Sequence, residues 1–578
     1  MSKKRGIASI LVATLLLAST VTGCTQNQGE GQTDEEQEKV TVTFGISDCT
    51  MEDGVHTEEF SVLKKLAEET GVELEFVNYD RDKFRTLAYS GDLPDMFMMP
   101  DSSMAPSLVQ SGYVIGLNDL IEEYAPNVAT EYADAISYET ETLGDMYFFP
   151  YDIYDEEGEP YAMANGTEGF FARYDIYKAI GSPEITDSWD GFLDVLEEMQ
   201  AYARDYYDDE NIYAFSSWND WQLWPYICVY PFTVGYGDMS DINYVVNAET
   251  GEYQNCFLDE DGIFWEGIEF LNDAYQRGLF DPEGLVQGYD QYTEKLQTGK
   301  TLVSFVGWLD PDETLLGEDA CFTILPNSTG TMLKLTPTQM PIGNRLSLSV
   351  GISANCKNPE AIIKMYNWCN TTDGKRTLAN GVQGETWDYV DGVPTIIGTY
   401  AEYVAEGKED QYHDDYPTGI GGTHQFVLAR NLTSDGEYGI ADDGYPYDLM
   451  NLPENVASTC TTAERKFAED YGCSYPGEVY MKWADEGLLS YTTTYLPLYA
   501  QLLDTPSDDV SVMENKAIQY FMGNAGEVIL AESDEAFAKA KQSIIDEMIG
   551  FGLDETSTEV EANLEEAKTL AETFTFDK

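Results

Sequence analysis

The chain has 578 residues, with 31 Lys+Arg against 105 Asp+Glu and a formal charge of -74. So few basic residues exclude a sequence-independent hold on phosphate backbones or anionic lipid headgroups, and with it nucleic acid as a partner, because both need clustered Lys and Arg. The 25 Phe, 40 Tyr and 9 Trp exclude a disordered acidic polymer, and at ~150 residues per domain the length predicts two large lobes or a few smaller units.

Lys3, Lys4 and Arg5 precede an apolar run over 7–18 that is too short to span a bilayer, which is the charged start and hydrophobic middle of a secretory signal. The run ends in Val21-Thr22-Gly23-Cys24. This ending resembles the bacterial lipobox, with valine in place of the commoner leucine at its first position. The resemblance implies cleavage after residue 23, lipid on Cys24, and a body tethered to a membrane that only the lipid touches. Residues 25–39 carry no aromatic or aliphatic side chain and read as a solvated tether reaching at most about 50 Å.

From Val40 the alternation of Val40, Val42, Phe44 and Ile46 predicts a strand with one buried face. Thr57 is expected to cap a helix carrying Phe60, Leu63 and Leu66, which Gly71 ends. A second strand with Val72, Leu74 and Phe76 follows, then a short helix around Phe84 and Leu87, then a turn at Ser90-Gly91 into a strand over 96–99. That succession predicts an α/β fold with mainly parallel sheets and helices on both faces. Ligands of such sheets gather at loops beyond the strand ends, where Asp48 and Asp101 lie. A second α/β region is expected after Pro150, with Thr186 capping a helix that carries Phe192, Val195, Leu196 and Met199. Pro359 sits in the first turn of a helix starting at Asn358, the preferred place for proline. The stretch 407–447, rich in Asp, Gly and Tyr, has no clean period and reads as an irregular insertion. From Ser533 the chain is helical by pattern, with Phe537, Ile544 and Met548 on one stripe.

Several chemistries fall away. Gly299-Lys300-Thr301 invites a phosphate loop, but the glycine needed five positions before Gly299 is Glu294, so the backbone cradle is missing. The acidic stretch 435–448 lacks the spaced oxygens and central glycine of a calcium loop. His56, His413 and His424 lie far apart in sequence, which leaves little for a histidine metal site or general base. No metal and no cofactor are expected. Beyond Cys24, the eight cysteines 49, 228, 256, 321, 356, 369, 460 and 473 form no CxxC pair, and free thiols or a bridge or two remain open. Trp218, Trp221 and Trp224 alternate with Asn219, Asp220 and Gln222. Such flat faces beside amides and a carboxylate suit a polyhydroxylated ligand, although read alone this spacing more readily describes the buried stripe of a helix.

Six motifs then fall in a recognisable order: the lipobox; SGDLPDMFMM over 90–99; GDMYFFPY over 144–151; ARYDIYKAIGSPEITDSWDGFLDVLEEM over 172–199; TGKTLVSFVGWLD over 298–310; and GISANCKNPEAIIKMYNWC over 351–369. Together they resemble the family 1 extracellular solute-binding lipoproteins of bacterial ABC importers, relatives of maltose-binding protein, in the carbohydrate branch. The resemblance implies a type II periplasmic-binding-protein fold, two α/β lobes with a cleft between them. Its expected segments are 40–150 for lobe one, 151–335 for lobe two, 336–385 returning to lobe one, and 386–578 returning to lobe two with the insertion and the C-terminal helices. It implies a monomeric importer component that captures a carbohydrate, an oligosaccharide by expectation, and hands it to a permease without catalysis. Trp308 matches the tryptophan that stacks on sugar in this family; Asp48 and Asp101 match cleft loops of lobe one. Tyr151 matches a crossing segment, Trp387 lies near the third crossing, and Trp218, Trp221 and Trp224 occupy a cleft-facing region of lobe two. Asp95, in its Pro-Asp turn, is expected to cap backbone. The alternatives are a peptide- or amine-binding importer component, a surface glycosidase, and an adhesive surface lipoprotein.

Overall fold

The computed structural model describes residues 39–47, 51–100, 104–151, 153, 166, 168–186, 188–239, 242–326, 332–334, 341–343, 349–406, 408–420, 426–436, 439–492, 496–503 and 506–573. Cys24, Asp48 and Asp101 lie outside them. The chain divides into Met1–Glu38, also outside the described residues, and one unit Lys39–Lys578. Within that unit, apolar side chains gather into two large cores, one for each lobe.

Lobe one is built on a six-stranded sheet in the order Gly54–Val55, Val72–Asn78, Val40–Ile46, Met96–Met98, Val350–Ile352, Phe148–Phe149. The alternation seen in the sequence becomes its register: Val42 faces Leu74 and Phe44 faces Phe76 across a parallel pair, and all four side chains are buried. Parallel pairing occurs at this centre, where Val40–Ile46 pairs in parallel on both sides, and again between Met332–Lys334 and Ser490–Thr492. Val350–Ile352 is antiparallel to both of its neighbours, and Gly54–Val55 is antiparallel to Val72–Asn78. Strands that enter from a lobe crossing or a tight turn have no helical crossover to enforce a parallel direction.

Lobe two centres on Glu168–Arg173, flanked antiparallel by Val303–Val306 and Phe322–Ile324. Helices Trp189–Tyr207 and Ile263–Gln276 pack their apolar faces into its core. A second antiparallel sheet, Tyr236–Met239, Tyr244–Asn247 and Tyr253–Asn255, carries the C-terminal helices Asp508–Ile529 and Leu553–Thr573, and Asp534–Gly550 packs against these two helices. Phe537, Ile544 and Met548 point into the lobe-two core as their stripe predicts.

Two helix starts differ from the expected ones. Helix Ser61–Thr70 begins at Phe60 with no side-chain cap, and the His56 carbonyl receives the amides of Glu59 and Phe60 instead of the Thr57 hydroxyl serving there. Ser188, not Thr186, caps Trp189–Tyr207 by accepting from the Gly191 amide. The other ends agree: Gly71 is left-handed at φ 74°, Pro359 opens its helix, and the Asp95 carboxylate accepts from both the amide and the hydroxyl of Thr43.

The lobe boundary also moves. The stretch after 386 was expected in lobe two, yet Trp387, Ile396, Tyr400, Val427, Leu432 and Leu449 join the lobe-one core. The chain enters the lobe-two core only at Ala463. Two wholly buried cations of helix Thr372–Asn380 hold the insertion there. Lys375 reaches Glu131 at 2.7 Å and Asp435 at 2.5 Å, and Arg376 grips both oxygens of Asp443 at 2.8 Å. Burial works against the Lys375 charge, but Asp435 and Glu131 together hold its pKa above the usual lysine range. The Arg376 guanidinium holds Asp443 at about 2. The insertion is therefore regular in part, with helix Glu409–Asp415 and a single π turn over Phe426–Arg430. Where the chain crosses between lobes the backbones almost touch. Gly343, at φ +70°, leaves no room for a side chain against Pro150 and Ile153, and the Ile153 amide donates to the Ser434 carbonyl.

Candidate functional site

Strand Val303–Val306 ends at Gly307, whose missing side chain lets the Gly166 carbonyl approach within 1.8 Å of where a Cβ would stand. That close passage delivers Trp308 just beyond the strand end, 48% exposed. Its indole N–H donates to the Tyr289 hydroxyl at 2.9 Å. Tyr289 opens helix Tyr289–Gln297, and the Asp220 carboxylate fixes it by accepting its amide at 2.7 Å. The loop bearing Asp220 therefore sits against the helix start, and Trp221 stacks on Tyr289 with centroids 4.5 Å apart and planes 22° off parallel. Trp224 bridges the two ends, 5.4 Å from Trp221 and 6.2 Å from Trp308.

Beneath this surface lies Trp218, fully buried, packed 4.4 Å from Tyr292 and 5.5 Å from Trp221. The result is an aromatic ledge on lobe two with Trp308 and Trp221 open to solvent, Tyr289 half-buried between them and Trp218 as its footing. Asn219 and Gln222 stand exposed beside it. Gln222 takes a left-handed φ of 54°, so the tryptophans do not form the single helical stripe that their spacing suggested. Only Trp224 begins a helix, Trp224–Val229.

Of the sequence-predicted site residues, the structure brings Trp218, Trp221, Trp224 and Trp308 into one cluster and corrects the role of Trp218. With no accessible surface, its ring serves as packing beneath Trp221 and Trp224. Trp387 is likewise corrected to a core residue of lobe one: it is 2% exposed, and its indole N–H is spent on the Gly381 carbonyl at 2.9 Å. Tyr151 is buried in the lobe-one core with the Arg430 guanidinium 5.1 Å from its ring centre. Sequence reasoning missed Tyr289 and Arg430. Tyr289 was within reach, since Tyr289, Tyr292 and Leu296 fall on one helical stripe whose first member is left at the surface; Arg430 had no comparable signal inside an aperiodic insertion.

Among the described residues no group of three or more His, Cys, Asp or Glu could hold a metal ion, and none of their helices is long and apolar enough to cross a membrane. Cysteines 256, 321, 356, 369, 460 and 473 are free thiols; burial raises every one of them above the ordinary thiol range. Cys49 and the Cys228 side chain lie outside the described residues.

The family model of bacterial extracellular solute-binding proteins matches residues 53–376, more than half of the chain. The chain belongs to that family. A curated relative, the fructooligosaccharide ABC transporter substrate-binding protein FusA of Streptococcus pneumoniae, is 25% identical over 317 residues, 52% of this chain and 55% of the relative. The match thus spans about half of that protein's length. Among solved structures, an EF-hand mutant of S. pneumoniae FusA in complex with fructo-nystose superposes with a TM-score of 0.59 at 16% identity, covering 93% of this chain and all of that one. A human-milk-oligosaccharide (HMO) binding solute-binding protein of Bifidobacterium longum infantis gives 0.55 at 14%, covering 93% of this chain and all of its own. These likenesses show the fold: this member of the family has the two-lobed type II architecture of periplasmic binding proteins.

Proposed function

We propose that this protein is the solute-capturing component of an ABC importer, held outside the membrane by lipid on Cys24, and that its solute is a neutral oligosaccharide bound between the lobes without chemistry. The observation that carries the reading is the aromatic ledge on which Trp308 and Trp221 stand exposed with half-buried Tyr289 between them. Such faces stack on sugar rings while the neighbouring amides of Asn219 and Gln222 exchange hydrogen bonds with hydroxyls. Relatives named for fructooligosaccharide and milk-oligosaccharide binding support the same ligand class, and the charge of -74 disfavours an anionic one. On lobe one, the loops of Asp48 and Asp101 and the crossing at Tyr151 complete the cleft in this reading. Contacts to both lobes would stabilise the closed form, and only that differential affinity can drive closure toward the permease.

The test is thermal unfolding of the lipid-free protein from Thr25 onward against sugars, short peptides and polyamines. A ligand at about 100 times its dissociation constant stabilises by roughly 2.7 kcal/mol. Trp308→Ala should weaken a sugar that binds by about thirtyfold, as expected of an aromatic anchor worth ~2 kcal/mol. Stabilisation by peptides or amines and by no sugar would sink the carbohydrate half of the proposal and keep the importer.

A further inference from the structure

Three segments of lobe two converge on Tyr289, each through a different part of the residue. Its amide donates at 2.7 Å to Asp220, in the loop that bears the tryptophans. Its ring stacks on Trp221 with centroids 4.5 Å apart. Its hydroxyl accepts the indole N–H of Trp308 at 2.9 Å, at the solvent edge of the strand end. Trp224 also meets both exposed tryptophans, but through tilted ring contacts alone, with planes 67° and 36° apart.

Tyr289 is itself held. It opens helix Tyr289–Gln297, and the Gly288 amide just before it donates to the Gln291 side chain at 2.9 Å. One turn further on, the hydroxyl of buried Tyr292 accepts the Phe305 amide of strand Val303–Val306 at 3.1 Å. Residues three apart on a helix share a face, so one face of this helix carries both hydroxyls: Tyr292 fixes the strand, and Tyr289 fixes the ring beyond its end. Core tryptophans are served differently. Trp265 and Trp387 give their N–H groups to the backbone carbonyls of Phe257 and Gly381 and are closed in by packing. Trp308, 48% exposed, lacks that enclosure and takes its orientation from a side-chain hydroxyl. A phenol that accepts one hydrogen bond keeps its own hydrogen to donate, and among the described residues none takes it from Tyr289. Accepting from an N–H also polarises the O–H and makes it the better donor.

We infer that Tyr289 is the positioning and specificity-determining residue of the ledge: its hydroxyl fixes the Trp308 ring for stacking and gives its own hydrogen to an acceptor oxygen of the bound solute. The inference rests on the carbohydrate reading above. A ring held in place before the solute arrives has little freedom left to lose on binding, so the hydroxyl strengthens the stack at Trp308 while covering almost no area itself. The donated hydrogen selects a solute with a lone pair at that edge, a hydroxyl or a ring oxygen, over an apolar ring that would stack equally well.

The experiment pairs a spectrum that needs no ligand with a titration. Lipid-free protein is prepared with tryptophan isotopically labelled at the indole nitrogen, and the Trp308 signal is assigned by its loss in Trp308→Phe. Tyr289→Phe keeps the ring against Trp221 and deletes only the hydroxyl. It should move the Trp308 N–H signal and speed its exchange with water about tenfold, as for the loss of one hydrogen bond. The Trp265 and Trp387 signals should stay in place and report an intact fold. In calorimetric titration with kestose and maltotriose, Tyr289→Phe should weaken whichever sugar binds by about tenfold. Trp308→Phe keeps a stacking ring without an N–H and should also lose affinity, and the double variant should lose clearly less than the product of the two, because both act through one hydrogen bond. An unmoved Trp308 signal in Tyr289→Phe would overturn the positioning role, unchanged affinity in that variant would overturn the donated hydrogen, and losses that simply multiply would overturn the coupling. A displaced Trp308 signal, with binding of a short peptide or polyamine and of neither sugar, would uphold the positioning and overturn the carbohydrate reading.

Discussion

Glu514 is a buried acid with a misplaced charge. Only 2% exposed, it receives Asn243 and Thr556 at its two oxygens. The Thr556 hydroxyl has one hydrogen and two acceptors in range, the Leu553 carbonyl at 2.6 Å and the Glu514 carboxyl at 3.0 Å. If the hydrogen goes to Leu553, Glu514 must itself be protonated and donate to Thr556. Burial raises its pKa from 4.5 to about 7, against the opposing pull of the Thr556 and Asn243 hydrogen bonds. The folded state therefore holds the proton more tightly than the unfolded chain does. The associated stability is complete below about pH 4.5 and is lost as pH rises to about 7, with roughly 3 kcal/mol gone at pH 8 and about 1 at pH 5. Glu514→Gln copies the neutral acid, since its amide N–H₂ can donate to Thr556 while its carbonyl accepts from Asn243. Denaturant unfolding followed at pH 5 and pH 8 should show the variant more stable by roughly 3 kcal/mol at about pH 8 and by only about 1 at about pH 5. A variant no more stable than wild type at the higher pH, or a gap that ignores pH, would refute the assignment of a proton to this site.

Two further outcomes test the scaffold. Lys375→Met leaves Glu131 and Asp435 facing each other without their cation; because both carboxylates keep partial contact with water, the loss of lobe-one stability should lie near the lower end of the ~3–5 kcal/mol seen when a buried pair is broken, read by denaturant unfolding. Ser188→Ala should cost about 1 kcal/mol by uncapping Trp189–Tyr207, while Thr186→Ala, two residues too early to cap, should fall within ~0.5 kcal/mol of wild type in the same assay.

What was legible in the sequence was what depends on near neighbours. The alternation at Val40 to Ile46, the left-handed Gly71 and the stripe of Phe537, Ile544 and Met548 are set by periods of a few residues, and the structure places them as read. Caps were harder, because Thr57, Thr186 and Ser188 carry the same hydroxyl. The choice between Thr186 and Ser188 rests on backbone angle: Ser188 is extended at φ -164° and ψ 152°, which aims its oxygen at the Gly191 amide.

The misplaced lobe boundary and the misjudged tryptophans share a cause of longer range. Arg376 meets Asp443 across 67 positions, and Lys375 meets Glu131 across 244; no local pattern reports partners so distant, yet these ion pairs draw the insertion into lobe one and with it the strand that buries Trp387. Trp387 and Trp308 are alike in sequence, each an aromatic near a glycine and followed within two residues by an acid. What separates them is whether the third dimension covers the ring. At Trp308, Gly307 lets the chain of residue 166 pass close behind the strand end and leaves the indole outside; at Trp387 a cross-strand partner, Ile396, and the Arg376 guanidinium 5.7 Å from the ring close it in. A resemblance can therefore indicate which tryptophan to examine, but the exposed face that a sugar ring needs is a property of packing.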